Sequence, residues 1–422
     1  MKKITLVILL ILAITNLFSQ TSSIKVLQYN LLYYGLDDVG CDQSNNNIGE
    51  KTEYLKTLIE YIEPDIFAVN EIDASTNDHD YLLYNVFTLN GYVNYARGTV
   101  KGSYLTSQIF YNKSKLVLVE ENEIYGNPRN IYEYVFYYKS TDLEYGDTVY
   151  FSYFLAHLKA GQDYEDERAT TINNMMNYIN SNNLSNYIFS GDLNLYGASE
   201  QAYQYLTNNS NSSINFTDPG PAGEWSINET YADYHTQATF YSSNGCSSYG
   251  GLDDRFDFIL YSAAINSGTS KMQYNNNSFT TIGQDGNHFN SSIGWNGNTS
   301  IPSYILEVLE NNSDHLPILA EFTFDQAPAK AEEIRATENY LTTNNPIKEN
   351  INIQILNNEI LNTKIFGEIF DLTGKLIRSF SIETNNRSFE YTVAISEIPS
   401  GIYIIIFSNK ENFICSKKII KL

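Results

Sequence analysis

The sequence predicts an α+β layered sandwich, with sheets packed on one another and helices outside, followed by a small separate all-β module. Three observations carry that prediction. Short apolar runs recur between residues 23 and 324 with only two clear helical faces among them. Hydrophobic residues make up 42% of the 422, with 35 Tyr and 22 Phe, which supplies a sizeable core and excludes wholesale disorder, collagen-like repeats and a coiled coil. At Asp325–Lys330 (DQAPAK) the pattern breaks, and a second set of strand-like runs begins after it.

Residues 1–19 read as a signal peptide: a basic Lys2-Lys3, an apolar stretch from Ile4 to Ile14, and a polar exit with Ser19 before Gln20. The stretch is too short for a comfortable membrane span, no other segment reaches that length, and no Cys follows to take a lipid. The chain is therefore expected to be exported, with no stable membrane span. Residues 20–325 form the first domain. Its strands are expected at Ser23–Leu31, Ile66–Val69, Ser107–Tyr111, Lys115–Val119, Tyr132–Lys139, Val149–His157, Tyr187–Ser190, Phe256–Tyr261 and Leu316–Phe324. A helix over Glu50–Ile62 shows Leu55, Leu58, Ile59 and Ile62 on one face and ends before Pro64. A second over Tyr164–Ser181 is acidic in its first turn, with Ile172, Met175, Met176 and Ile179 as its apolar face. Residues 326–337 read as a linker. The tail, 338–422, has strands at Ile351–Leu356, Lys364–Asp371, Leu376–Ile382, Phe389–Ala394 and Tyr403–Ser408, with turns at Thr373-Gly374 and Pro399-Ser400-Gly401.

Charge separates the same two parts. Residues 20–334 carry 14 Lys/Arg against 40 Asp/Glu, whereas 335–422 carry 10 against 9. So acidic a body argues against tight non-specific duplex binding, which needs clustered cations, but not against a phosphate substrate reached through a divalent metal. Cys41, Cys246 and Cys415 are too few for a disulfide scaffold and lack a CxxC spacing. Cys41 and Cys246 lie in polar loops, where a disulfide and two free thiols are both open readings.

In the first domain each apolar run delivers polar residues as it stops: Asn30, Glu71, His157, Asp192 with Asn194, Asp257, and Asp314-His315 before the last strand. Two His, four carboxylates and two Asn without a nucleophilic Ser or Cys motif suit metal-assisted attack of water on phosphorus. Carboxylates hold a hard cation, an imidazole oriented by an Asp takes the proton, and Asn amides donate to phosphoryl oxygens. Asp257 and His315 are expected on strands that neighbour each other in one sheet. Bland readings go elsewhere: Arg168 as an ion-paired structural residue, His79, His235 and His288 as exposed loop residues, and Asp37, Asp38 and Asp42 as solvated acids.

The ordered motifs LQYN, VNEID, AHLKAG, SGDLN, DRFDFIL and SDHLP resemble the endonuclease/exonuclease/phosphatase superfamily, the deoxyribonuclease-I-like fold, over roughly residues 24–324. The resemblance implies a four-layered α/β sandwich and a phosphodiesterase dependent on Mg2+, with Mn2+ or Ca2+ as alternatives. It implies metal binding by Glu71, Asn30 and Asp314, His315 as general base oriented by Asp257, and Asp192 with Asn194 positioning water and phosphoryl group. Asn30, Asn194 and His157 become substrate contacts, His157 on the phosphate or leaving-group side. Two departures stand out: Asn70 replaces the Gln usual before the metal-binding Glu, and Leu32 replaces an acid found in some nuclease branches. In the tail, FGEIFDLTGKLIRSF, ISEIPSGIYIIIFS and SKKIIKL resemble the type A sorting domain of type IX secretion in Bacteroidetes, an immunoglobulin-like sandwich. The two resemblances together imply a secreted or surface-bound monomeric endonuclease on extracellular nucleic acid, handled by the type IX machinery. The alternatives are a sphingomyelinase-like or other phosphoesterase, and an inactive binding protein on the same fold.

Overall fold

Each apolar run expected to be a strand lies on one, because the runs are long enough to bury one face and are bounded by turn residues. The computed structural model describes residues 22–325 and 341–422, apart from 90–91, 141–147, 295–296, 356–363, 372–373, 385–389 and 410–412. The expected signal peptide and linker thus lie outside the described residues. The chain divides into two compact units, residues 1–328 and 329–422.

The first unit runs β1 (Ser22–Tyr34), α1 (Ile48–Ile62), β2 (Ile66–Asp73), α2 (Thr76–Val86), the short pair β3 (Thr88–Leu89) and β4 (Tyr92–Val93), and β5 (Tyr95–Arg97). It continues through β6 (Leu105–Asn112), β7 (Leu116–Ile124), β8 (Ile131–Tyr138), β9 (Tyr150–His157), α3 (Glu165–Ser181), β10 (Tyr187–Asp192), α4 (Gln201–Thr207) and β11 (Phe216–Thr217). It closes with β12 (Asp257–Ser262), α5 (Ala263–Ser267), β13 (Met272–Tyr274), β14 (Thr280–Thr281), α6 (Ser303–Asn312) and β15 (Ile318–Phe324). One sheet has the order β13-β15-β1-β2-β6-β5 with β14 beside β15, and the other the order β11-β12-β10-β9-β8-β7.

Three apolar clusters define four layers. Val26, Ile66, Ile109, Leu155, Ile188 and Ile259 belong to the cluster between the two sheets. Leu27, Phe67 and Val69 on the outer face of the first sheet pack with Leu58 of α1, Leu82 of α2 and Leu309 of α6. Phe154, Phe189 and Phe258 on the outer face of the second pack with Met175 of α3 and Leu206 of α4. The architecture is the four-layered α/β sandwich. Asn47 caps α1, its side chain accepting from the Gly49 and Glu50 N–H groups, so the helix starts at Ile48, two residues before the expected Glu50. Helices α2, α4, α5 and α6 lie beyond the two expected, although Ile305, Leu306, Val308 and Leu309 of α6 have helical spacing.

The expectation that Asp257 and His315 sit on neighbouring strands is corrected. Asp257 opens β12 in the second sheet, whereas His315 precedes β15 in the first. The chain crosses from one sheet to the other between them, and face-to-face packing, not pairing within one sheet, brings the two residues together.

The second unit is a small all-β sandwich. It has one sheet of β16 (Leu341–Thr343), β17 (Asn350–Ile355) and β20 (Glu390–Ala394), and one of β18 (Lys364–Asp371), β19 (Leu376–Glu383), β21 (Gly401–Ser408) and β22 (Phe413–Lys421). Ile351, Ile353, Ile365, Ile369, Ile405, Phe407 and Ile419 lie in its own core. Gly374 has the positive φ of 83° that its turn requires, whereas Gly401 is simply the first residue of β21.

Candidate active site

The inter-sheet layer changes character along its length. Going along β1 the inward positions are Ile24, Val26, Gln28 and Asn30, and along β2 they are Ile66, Ala68 and Asn70. The same switch from apolar to polar occurs where β9 ends at His157, β10 at Asp192, and β12 begins at Asp257. Register then sets these last three side by side, for Asp192 pairs with His157 on one flank and Asp257 on the other. Gly191 allows β10 to come this close: at φ 147° a Cβ there would run into the Ala156 carbonyl oxygen.

Glu71 arrives by a different route. Strict alternation would send it outward with Val69, but the ladder shifts between Asn70 and Ile72 on β2. Glu71 is the extra residue, at φ 58°, and Ile72 resumes the outward face. Leu32, Tyr33 and Asn194 also have positive φ, of 48°, 49° and 49°. Non-glycine residues in this region are uncommon, and these four lie where site side chains are placed, so position there outweighs backbone comfort. The Leu32–Tyr33 turn supplies N–H donors to Asn30 Oδ1 at 3.0 Å and Glu71 Oε2 at 3.3 Å. Buried Lys51 and Asn46 brace that turn through the Leu32 carbonyl, at 2.9 and 3.1 Å.

Asp257 and His315 are linked directly across the two sheets. Asp257 Oδ2 lies 2.7 Å from His315 Nδ1, and Gln28 Nε2 donates to Asp257 Oδ1 at 3.1 Å. This fixes the tautomer with the proton on Nδ1 and leaves Nε2 facing Asp192 Oδ2 at 3.8 Å and the Gln237 amide at 2.7 Å. Burial works against charge on this ring, but Asp257, Asp192 and Asp314 together hold its pKa well above the ordinary imidazole value. A cation held among those carboxylates would offset their pull and bring the ring back toward its neutral form.

Beside this pair, Glu71, His157 and Asp192 present ligand atoms within 4.8 Å of one another. His157 Nε2 is 3.7 Å from Glu71 Oε1 and 3.6 Å from Asp192 Oδ2. Asn30 Nδ2 donates to both carboxylates at 3.0 Å. Burial, then Asp314, raises the Glu71 pKa. Burial, with Asp257 and Glu71 adding, pushes Asp192 up to about 7. Burial, then Arg129, drives His157 well below the imidazole value, so it is neutral, and its buried Nδ1 has no hydrogen-bond partner. Two crowded, desolvated carboxylates and a neutral imidazole are a donor set that a hard divalent cation fits.

The expected site residues thus converge at one end of the sandwich, though not in the expected grouping. Glu71 is joined in the cluster by His157 and Asp192. Asn30 turns its amide N–H groups, not an oxygen, toward the carboxylates. Asp314 Oδ2 accepts from Ser248 N at 2.8 Å and from Gln237 at 3.4 Å. Asn194 donates from its backbone to Asp192 Oδ1 at 3.1 Å and from its side chain to the Leu158 carbonyl at 3.3 Å. Asn70, in place of Gln, accepts from Asp192 N at 2.8 Å and from Gln28 at 2.8 Å, so the shorter amide still ties the two sheets.

Sequence reading missed three contributors. Gln237 lies in a Tyr/Thr-rich stretch with no periodic signal. Ser313 Oγ donates to the Asn30 carbonyl at 2.7 Å and accepts from His315 N at 3.2 Å. Arg129 donates to the His157 and Leu158 carbonyls at 2.9 and 3.0 Å and sits beside Glu71 and Asp192. A lone Arg after Pro128 offers no local clue to any of this.

Three bland readings need correction or detail. His79 and His235 are fully buried, not exposed, and His288 is half-buried against Asp285 at 2.7 Å. Arg168 is the structural residue expected, bidentate to Glu200 at 2.9 Å. Cys41 and Cys246 form a disulfide.

Residues 345–421 match the family described as the secretion system C-terminal sorting domain. The tail therefore addresses the chain, by type IX secretion, to the cell surface or the extracellular space. No helix among the described residues is long and apolar enough to cross a membrane. No curated protein matches the chain. The solved structures it is similar to include TDP2 from D. rerio complexed with a single-strand DNA product, at 16% identity over 71% of this chain and 99% of that one, with a TM-score of 0.47. An endonuclease/exonuclease/phosphatase family protein from Bacteroides thetaiotaomicron follows at 15% identity over 73% and 100%, TM-score 0.44. A mannosyl-6-phosphatase from the same organism matches at 16% identity over 71% and 100%, TM-score 0.43. Likenesses this distant carry nothing about substrate or reaction.

Proposed function

We propose that the first unit is a divalent-metal-dependent phosphodiesterase that acts, once exported, as an endonuclease on extracellular nucleic acid. The observation that carries this reading is the Asp257–His315 pair at 2.7 Å, set against the Glu71–His157–Asp192 cluster. Glu71, His157 and Asp192 would hold the cation, Mg2+ by preference for hard oxygen donors, and its charge would neutralise the phosphoryl oxygens.

The protein's own residues do the rest. Water sits between His315 Nε2 and the phosphorus. Its oxygen forms the new P–O bond, its proton passes to Nε2, and the electron pair of the breaking P–O bond leaves with the departing oxygen. Asp257 stabilises the imidazolium that results. Arg129, fixed by two carbonyls, turns its remaining N–H groups to the phosphoryl oxygens, and Asn194 donates on the same side.

The test is hydrolysis of bis-p-nitrophenyl phosphate with Mg2+ and with a chelator, in four proteins. The wild type should turn over only with the metal. His315→Ala should lose roughly 10²–10⁴-fold in kcat. Asp257→Asn should lose activity as well, because its amide allows the wrong tautomer, and the double variant should be little worse than His315→Ala alone. Losses that simply multiply would remove His315 from the role of base. Comparing DNA, RNA, sphingomyelin and a sugar phosphate as substrates then decides the class, with nucleic acid expected to be fastest.

A further inference from the structure

Among the described residues, Gln237 is the side chain that touches the proposed base at its working atom, and neither the reaction scheme above nor the sequence motifs include it. Its backbone is held from both flanks. Gln237 bridges Asp254 on one side and His315 on the other, and the neighbouring Thr236 carbonyl accepts from Leu316 N at 2.7 Å while Thr239 N donates to the Asp314 carbonyl at 3.0 Å. The half-buried side chain is thus placed by two segments that also carry site residues, and its Nε2 reaches His315 Nε2 at 2.7 Å and Asp314 Oδ2 at 3.4 Å.

The hydrogen-bond accounting has one consequence. In the neutral ring that a bound cation would restore, Nδ1 of His315 donates to Asp257, so Nε2 keeps a single lone pair, and the Gln237 amide nitrogen at 2.7 Å is placed to occupy it. That lone pair cannot also accept from the attacking water. When water takes the position, the amide must release it, and a released donor in a partly buried cleft needs another acceptor. Asp314 Oδ2, at 3.4 Å, can take one of the two N–H groups, which leaves the other for an oxygen of the bound substrate.

We propose that Gln237 is a catalytic phosphoryl-oxygen donor that caps His315 Nε2 in the resting site and passes to the phosphoryl group when water and substrate enter. This rests on His315 being the base. The passing-over means that the base is not exposed to bulk water before substrate arrives, and that the donor gains its partner as negative charge builds on phosphorus.

The experiment compares bis-p-nitrophenyl phosphate with its phosphorodithioate analogue, in which sulfur replaces both non-bridging oxygens and accepts hydrogen bonds poorly. Gln237→Leu should lower kcat on the oxygen substrate by about 10²-fold with KM changed far less, as for removal of a single oxyanion donor. The rate ratio between oxygen and sulfur substrates should shrink in Gln237→Leu by a factor similar to that loss, since the variant has no donor left to disappoint. A merely structural role lowers both rates equally and leaves the ratio at its wild-type value, which overturns the proposal. So does a variant as fast as, or faster than, the wild type, because Gln237 would then be only a cap. Should Gln237→Leu fail to fold, Gln237→Glu, of the same shape and without a donor when ionised, is read in the same way. His315→Ala, measured alongside, separates the two ideas: if it stays active the base assignment fails, and if it is dead while the ratio is unmoved only the Gln237 role fails.

Discussion

His79 shows how much a residue's chemistry depends on what surrounds it. A carbonyl can only accept, so Nε2 carries the proton toward Asp73 O at 2.7 Å, and Nδ1 accepts from Gln108 Nε2 at 2.9 Å. Burial, with Arg97 nearby and Asp73 and Asp80 opposing, pulls the pKa down from 6.5 to about 4. Between those values the unfolded chain binds a proton that the native ring refuses. The contribution to stability is therefore complete above pH 6.5 and lost as pH falls toward 4, at a total of about 3 kcal/mol. His79→Gln keeps one donor and one acceptor without a titrating ring. Denaturant unfolding from pH 7 to 4.5 should show the variant losing less stability than the wild type; parallel losses would mean that His79 is protonated in the native state. Nothing in the letters STNDHDY separates this ring from an exposed one, whereas the strand-end position of His157 and His315 was visible in AHLKAG and SDHLP.

At the scale of elements, the disulfide ties together two loops that each hold part of the site. Cys41 lies in the loop that follows β1, and Cys246 in the loop whose Ser248 N–H holds Asp314 at 2.8 Å. Asn45 stitches the same loops, donating to the Gly40 and Asn244 carbonyls at 2.9 and 3.2 Å. Gly40, at φ 86°, has the Gly245 carbonyl where a Cβ would be. One loop bears on Glu71 through the Leu32–Tyr33 turn and the other on Asp314, so breaking the bond should loosen the site from both sides. In the chain-entropy picture a crosslink spanning 205 residues is also worth about 5 kcal/mol. A type IX export route ends outside the reducing cytoplasm, where such a bond persists. Reductant should lower the activity and Mn2+ affinity of the folded wild type at least several-fold and leave a Cys41→Ser/Cys246→Ser protein, already weakened, unchanged. Equal affinity before and after reduction would confine the disulfide to global stability. From the sequence, polar loops 205 residues apart gave no reason to prefer pairing, since only folding brings their Cα atoms to 4.3 Å.

The whole molecule divides its tasks as it divides its charge. The acidic first unit holds the proposed chemistry, and the near-neutral tail has its own strands and its own core. A chain stopped at residue 328 should keep wild-type kcat/KM on bis-p-nitrophenyl phosphate and accumulate in the periplasm of a type IX-competent host, as measured by fractionation. Release into the medium at the normal rate would show that the tail is not the address. The sequence by itself determined what depends on local pattern: the strand set, the two principal helices, the break near residue 325, and the polar residue at each strand end. Those follow from side-chain period and turn chemistry within a few residues, which no distant contact needs to complete. Tertiary structure alone decided which sheet each strand joins, the bulge that turns Glu71 inward, the burial of His79 and His235, the pairing of Cys41 with Cys246, and the place of Gln237 against His315. Each of these is a relation between segments far apart in the chain, and the sequence states the members of such a relation without stating the packing that joins them.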